Sequence, residues 1–340
     1  MLARIRQEIA AHGGWISFAR YMELALQAYY GGTVAFDAEG DFVTAPELGS
    51  LFGRTLARQL AQLQPQSILE FGGGSGALAE VLLDELGCDY AILETSPTLR
   101  AKQQARLGKR ARWIDSLPER FRGVMLANEV VDAMPVHVVS WTERGIVEGG
   151  LSENGWSDRP ASGALLEAAK EIEVAPPYQS EINLAARAWI GSLAERLEQG
   201  AIFIIDYGFP RREYYHPQRA SGTLMCHHRH RSHADVFNNP GGEDITAHVD
   251  FSALADVAAE AGLRILGYAT QAQFLVNCGI TEVLGEANVE NALRYAPIAA
   301  EAQKLLSPAE MGELFKVLAL GRGVAASLVG FSHGERSHTL

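Results

Sequence analysis

From Ser67 onward, short apolar runs alternate with segments whose apolar residues recur every three to four positions. The runs predict strands over residues 68–71, 90–94, 112–114, 124–128 and 201–207, with two later strands over 264–269 and 326–331. Helical spacing fills 76–86, opening at Ser75, and 96–107, and Asp250 is placed to cap a helix over 251–261. Such alternation specifies a parallel sheet covered by helices on both faces.

Residues 1–66 carry a different pattern and predict a helical cap ahead of a domain spanning 67–340. Ser17 can cap a helix through Ala28, closed by Gly31 and Gly32, and a second helix opens near Thr44 and Pro46. That second helix has an apolar face of Leu48, Leu51, Phe52, Leu56, Leu60 and Leu63, which should pack on the core. The joining stretch 29–47 is rich in glycine and aromatics; it either lies over a ligand cleft or packs as a surface loop. Three insertions are expected, at about 136–180, 209–250 and 271–324. The first alternates like a hairpin turning at Glu143, Arg144 and Gly145, then leads to a helix over 164–173. The second is irregular, and the third reads as helices over 280–321, the last starting at Ser307 and Pro308.

Composition narrows the function classes. A chain of 340 residues that is 47% hydrophobic has enough material for a full core plus the insertions. A net charge of −12 repels phosphate backbones and argues against nucleic acid as a partner. Three dispersed cysteines fit a reducing compartment better than a disulfide framework, and no apolar run is long enough to span a membrane. The first fifteen residues contain Glu8 and lack the apolar core of a signal peptide, so the cytoplasm is expected. The oligomeric state is left open, a homodimer included.

The chemistry is concentrated in SILEFGGGSG, residues 67–76. A Walker loop is excluded because no lysine lies between Ser67 and Leu99. Gly72, Gly74 and Ala77 satisfy a dinucleotide pattern, but Glu70 makes the motif Glu-x-Gly-x-Gly-x-Gly through Gly72, Gly74 and Gly76, with Gly73 between. A carboxylate there is unwelcome beside a pyrophosphate and suits the ammonium and sulfonium of S-adenosylmethionine. Glu94 ends the second strand, where a carboxylate accepts from ribose hydroxyls; Asp115 ends the third, placed to accept from the adenine amino group.

Beyond the fourth strand stands Asn128-Glu129-Val130-Val131-Asp132-Ala133-Met134-Pro135. Together with FARYMELAL from Phe18, SEIN from Ser180, IDYG from Ile205 and DITAHVDF from Asp244, this octet resembles the signature of the MidA-like family. These proteins are the bacterial relatives of a mitochondrial complex I assembly factor methyltransferase. The resemblance runs from about Trp15 to the C-terminus. It implies a class I methyltransferase fold with a seven-stranded sheet whose last strand is antiparallel. It also implies S-adenosylmethionine as cofactor and a protein arginine as acceptor, dimethylated symmetrically in the mitochondrial members.

An arginine stays protonated unless carboxylates hold and polarise it, so Glu129 and Asp132, three apart on one helical turn, are the expected catalytic pair. Asn128 would orient the methyl donor or the acceptor. His248 and Asp250 would carry a proton away, and Glu181, read as an early-helix acid, would lie near the same cleft. The alternative is structural: Asp132 and Asp250 as helix caps, Glu129 facing solvent. The tract Cys226-His227-His228-Arg229-His230-Arg231-Ser232-His233 has ligand types that suit zinc, but its spacing matches no closed site and its arginines repel a cation, so no metal is assigned. It departs from the Tyr-Arg-x-His arrangement usual in the family. Two rivals remain: a small-molecule methyltransferase using His248 as general base, and an assembly protein that binds the cofactor without turnover.

Overall fold

The computed structural model describes residues 1–32, 44–228, 231–286 and 292–340. Its centre is a sheet of strands β1 (Ser67–Phe71), β2 (Asp89–Leu93), β3 (Arg112–Ile114), β4 (Phe121–Asn128), β5 (Leu197–Phe209), β6 (Arg264–Thr270) and β7 (Phe315–Arg322). Their spatial order is β3-β2-β1-β4-β5-β7-β6. Only β7 runs antiparallel to its neighbours among these strands, and Val249–Asp250 adds a short parallel pairing at the end of β5. This is the class I methyltransferase sheet.

Alternation along the strands feeds two cores. Ile68, Val124, Leu126, Phe203 and Ile205 face one layer, while Leu69, Met125, Ala127, Ile202 and Ile204 face the other. The first layer receives α3 (Leu51–Ala61) and α4 (Ala77–Leu86) through Phe52, Leu56, Leu60, Leu78 and Leu82. The second receives helices Leu184–Arg196 and Phe251–Glu260. The Asp250 side chain does cap the latter, accepting from Ala253 N at 3.1 Å.

The N-terminal residues divide between layers. Helices α1 (Leu2–Ala11) and α2 (Phe18–Gly31) pack against the inserted segments, whereas α3 belongs to the central layer. Ser17 caps α2 by accepting from Arg20 N at 3.2 Å. Trp15–Ser17 is a strand, not helix, and pairs with Gly145–Ser152 in a second sheet. That sheet also holds His137–Thr142, Gly155–Pro160 and Tyr178–Ile182, and its hairpin turns at Glu143 and Arg144 as the alternation indicated.

Four expectations are corrected. The last sheet strand is β7 and not residues 326–331, where a 3-10 turn, Val329–Phe331, sits instead. The expected insertion over 271–324 therefore ends inside the core sheet. Apart from Lys316, FKVLALG is apolar without a period, as a strand buried on both faces must be, and such a run looks like a buried helix in sequence. Glu181 lies in strand Tyr178–Ile182, not at a helix start. Residues 129–134 form turns, so Glu129 and Asp132 do not share a helical face. Of the joining stretch, residues 33–43 lie outside the described residues.

Candidate functional site

A cavity of about 700 Å3 opens above the C-terminal ends of β1, β2 and β4. Its floor is the glycine loop. Gly72, Gly74 and Gly76 take φ of 59°, 53° and 84°, which side chains resist, and a Cβ at Gly73 would stand 3.2 to 3.3 Å from Ile92, Gln103 and Glu70. The N-cap residue of α4, Gly76, brings no side-chain cap, which leaves the first N–H groups of the helix to an anionic group. Glu70 is 3% exposed and accepts from the Tyr90 hydroxyl at 3.0 Å. Burial, helped by Glu94, pushes its carboxyl up to about 7. Glu94 accepts from Ser96 N at 2.8 Å and from Gln103 Nε2 at 2.9 Å, and burial raises it as well. Gln103 is itself fixed by Trp113 Nε1 and by Gly74 O, so one amide ties the second acid to the loop.

The opposite end is the turn after β4. Glu129 adopts φ 54° without being glycine, a strained conformation held by its N–H bond to Ile205 O at 2.9 Å. The strain aims its carboxylate at the cavity, where Oε1 accepts from Asn128 Nδ2 and Ala45 N. Burial and then Asp132 push this carboxyl up to about 8, with Glu47 adding to the effect. Asn128 Oδ1 is buried without a donor among the described residues, an acceptor suited to a ligand N–H. Helix α2 and the short helix Ala45–Leu48 complete the wall with Glu23, Leu26, Tyr30, Pro46 and Glu47. Both described ends of the joining stretch therefore face the cavity. Among the described lining residues are five carboxylates, Glu23, Glu47, Glu70, Glu94 and Glu129, and no lysine or arginine.

These features fit S-adenosylmethionine: a carboxylate for the ribose, acids for a sulfonium and an ammonium, and helix N–H groups for a carboxylate. Residues 51–269 match the family of S-adenosyl-L-methionine-dependent methyltransferases. The chain belongs to that family. Among curated relatives, a protein arginine methyltransferase NDUFAF7 homolog of Drosophila melanogaster is 28% identical, covering 97% of this chain and 88% of its own. The NDUFAF7 protein arginine methyltransferase of Danio rerio is 29% identical over 93% and 85%. A crystal structure of a COG1565 superfamily member from Burkholderia thailandensis, bound to S-adenosyl-homocysteine, superposes with a TM-score of 0.93 at 47% identity, covering 99% and 96%. The MidA-like resemblance and the cofactor are thus supported from sequence and structure alike.

Not every residue singled out in the sequence reaches the methyltransferase's cavity. Asp115 is on the surface, its side chain 83% exposed and paired with Arg100. Asp132 stands behind the wall: Tyr207 donates to its Oδ2 at 2.5 Å, and burial holds it at about 6. His248 is further back, wedged edge-on against Tyr207 and Phe209, and burial with Arg219 and Lys316 lowers it to about 4. Glu181 anchors the second insertion through Thr223 and Tyr214. The sequence reading placed Asp206, with Tyr207 and Gly208, at the cleft to shape a substrate channel and overlooked it as an anchor. Its buried Oδ2 accepts from the N–H groups of Val130, Val131 and Asp132 at 2.9 to 3.2 Å, and burial beside Asp132 and Glu129 raises its proton affinity. It also overlooked Glu47, whose sole signal was an acid following proline at a helix start.

Proposed function

We infer that this methyltransferase methylates an arginine of a partner protein, with symmetric dimethylarginine as product. The observation that carries the reading is the five carboxyl side chains, without a lysine or arginine among the described lining residues, which match a cationic acceptor beside a cationic donor. The arginine methyltransferase names of the curated relatives support it.

When bound, S-adenosylmethionine supplies a methyl group activated by a sulfonium. Glu129 accepts hydrogen bonds from the guanidinium and concentrates electron density on the attacking nitrogen. Its raised proton affinity suits it to receive the N–H proton released as the N–C bond forms, before that proton passes to solvent. Asn128 holds Glu129 in place and offers Oδ1 to a second N–H. The carboxylates of Glu23 and Glu47 favour the cation's entry. With Cys88, Cys226 and Cys278 unpaired, we place this chemistry in the reducing cytoplasm.

The test is transfer of labelled methyl groups to proteins in a lysate lacking this protein, comparing wild type with Glu94→Ala and hydrolysing the labelled product. Symmetric dimethylarginine in one band, lost in the variant, is expected. Label on a small molecule, or none despite tight cofactor binding, would overturn the protein-arginine reading. No helix among the described residues is long and apolar enough to cross a membrane.

A further inference from the structure

The second insertion carries a cluster that methyl transfer does not use. Strand Met225–His228 pairs with Arg231–His233 in antiparallel register, which sets Cys226 directly opposite His233 and therefore on the same face. On its other side it pairs with Asp244–Thr246, and Glu243 enters one residue before that strand. A sulfur, an imidazole nitrogen and a carboxylate oxygen thus converge within 4.8 Å of one another. Cys226 is 1% and Glu243 4% exposed. His233 Nε2 stands 3.2 Å from Glu243 Oε2. Its Nδ1 is buried without a hydrogen bond among the described residues. Asn238 Nδ2 donates to Glu243 Oε1 at 3.2 Å and orients the carboxylate from outside the cluster.

We propose that Cys226, His233 and Glu243 form a zinc site that clasps the insertion beneath the cavity wall. Thiolate, carboxylate and neutral imidazole balance the charge of one divalent ion at this partly buried cluster. The sulfur selects zinc over magnesium or calcium. Donors around a tetrahedral zinc stand roughly 3.5 Å apart, from bonds of about 2.0 to 2.3 Å, so closure is within reach of side-chain rotation. Binding releases the thiol proton and any proton shared by His233 and Glu243 to solvent, and water takes the fourth position. The spacing of the His-rich tract hid this arrangement because the third ligand lies beyond the tract, and the pairing of Asp244–Thr246 with Met225–His228 brings it back.

The consequence reaches the cavity through α2. Cys226, Val236 and Ile245 share a core with Phe18, Tyr21 and Met22. The Tyr21 hydroxyl donates to Val236 O at 2.6 Å and that of Tyr30 to Asp244 at 3.1 Å. Since Tyr30, Leu26 and Glu23 form cavity wall, an ion at Cys226 holds that wall from below.

The test adds Co2+ to the chelator-treated full-length protein and follows the near-ultraviolet thiolate band, then displaces it with Zn2+. One ion per chain, a thiolate band and a higher Tm are expected. In Cys226→Ser the band disappears, and in His233→Ala affinity falls about tenfold or more. His227→Ala keeps both. Binding of S-adenosylhomocysteine and circular dichroism check that each variant is folded. Absence of a thiolate band in wild type, or binding that survives unchanged in Cys226→Ser, overturns the proposal, the second by assigning the ion to surface histidines.

Discussion

The glycine end of the cavity is made from residues close together in sequence, whereas the Glu129 end is assembled from distant segments. At the first, residues 70–78 supply Glu70, the loop and the helix start, and 94–103 supply Glu94, Ser96 and Gln103. At the second, the turn after β4 is held by Asp206 and Ile205 from β5, Asn183 from the end of the second sheet, Ala45 from the N-terminal region and Ala247 from the second insertion. A local unit can bind the cofactor whether or not the remote parts are placed correctly. The two ends should therefore fail separately, and turnover should be the more fragile property.

The sharpest way to break this comparison is Glu129→Gln, which keeps an acceptor for Ala45 N but cannot take up a proton. Turnover should fall by about a hundredfold or more, while calorimetry finds S-adenosylhomocysteine bound within about twofold of wild type, since a single substituted group at the far end removes little from cofactor contacts. Equal loss of both would mean that the two ends are one unit. Asp206→Asn acts at a distance: an amide cannot accept from three N–H groups and Tyr207 N together. Its kcat should drop on the order of a hundredfold through misplacement of Glu129, with cofactor affinity kept; an unchanged kcat would sink the anchoring role.

Acid titration separates the ends more gently. Glu70 at about 7 and Glu129 at about 8 both lie above the unfolded value of 4.5. Between these limits the folded chain holds protons the unfolded chain has released, so stability falls as pH rises from about 4.5 to 8. Melting curves across that range should show Glu129→Gln losing less, an advantage of about 1 kcal/mol or more at the alkaline end. Parallel curves for variant and wild type would contradict the assignment. The smallest effect belongs to Asp115→Ala, whose exposed side chain pairs with Arg100. Cofactor affinity should change by less than about twofold, in line with a surface ion pair. A tenfold loss would instead bring the adenine edge to Asp115 and lengthen the local end of the site.

Much of the local end was legible because its determinants are short-range. Glu70 and the glycines occupy one strand-turn-helix, and Glu94 follows at the end of the next strand, so apolar runs and turn residues suffice to place them. The remote end was legible only as a list of residue types. Asn128-Glu129 and Asp132 were singled out, yet the chain turns at Glu129 with positive φ, which sends Asp132 to Tyr207 and leaves Glu47 nearer the cavity. No periodicity records a strained residue, since the strain is maintained by Ile205 O and Asp206 from another strand.

By itself, then, the sequence determined the layered α/β class, the identity of the cofactor loop and the burial of most strands, because those depend on patterns within a few residues of each other. Tertiary structure alone decided that residues 315–322 complete the sheet, that Trp15–Ser17 joins the hairpin, and that Cys226, His233 and Glu243 meet. The physical reason is the range of the interactions involved. Hydrophobic alternation is written along the chain, whereas strand register, buried carboxylate anchors and ligand clusters depend on which distant backbone groups arrive beside them once the core has closed.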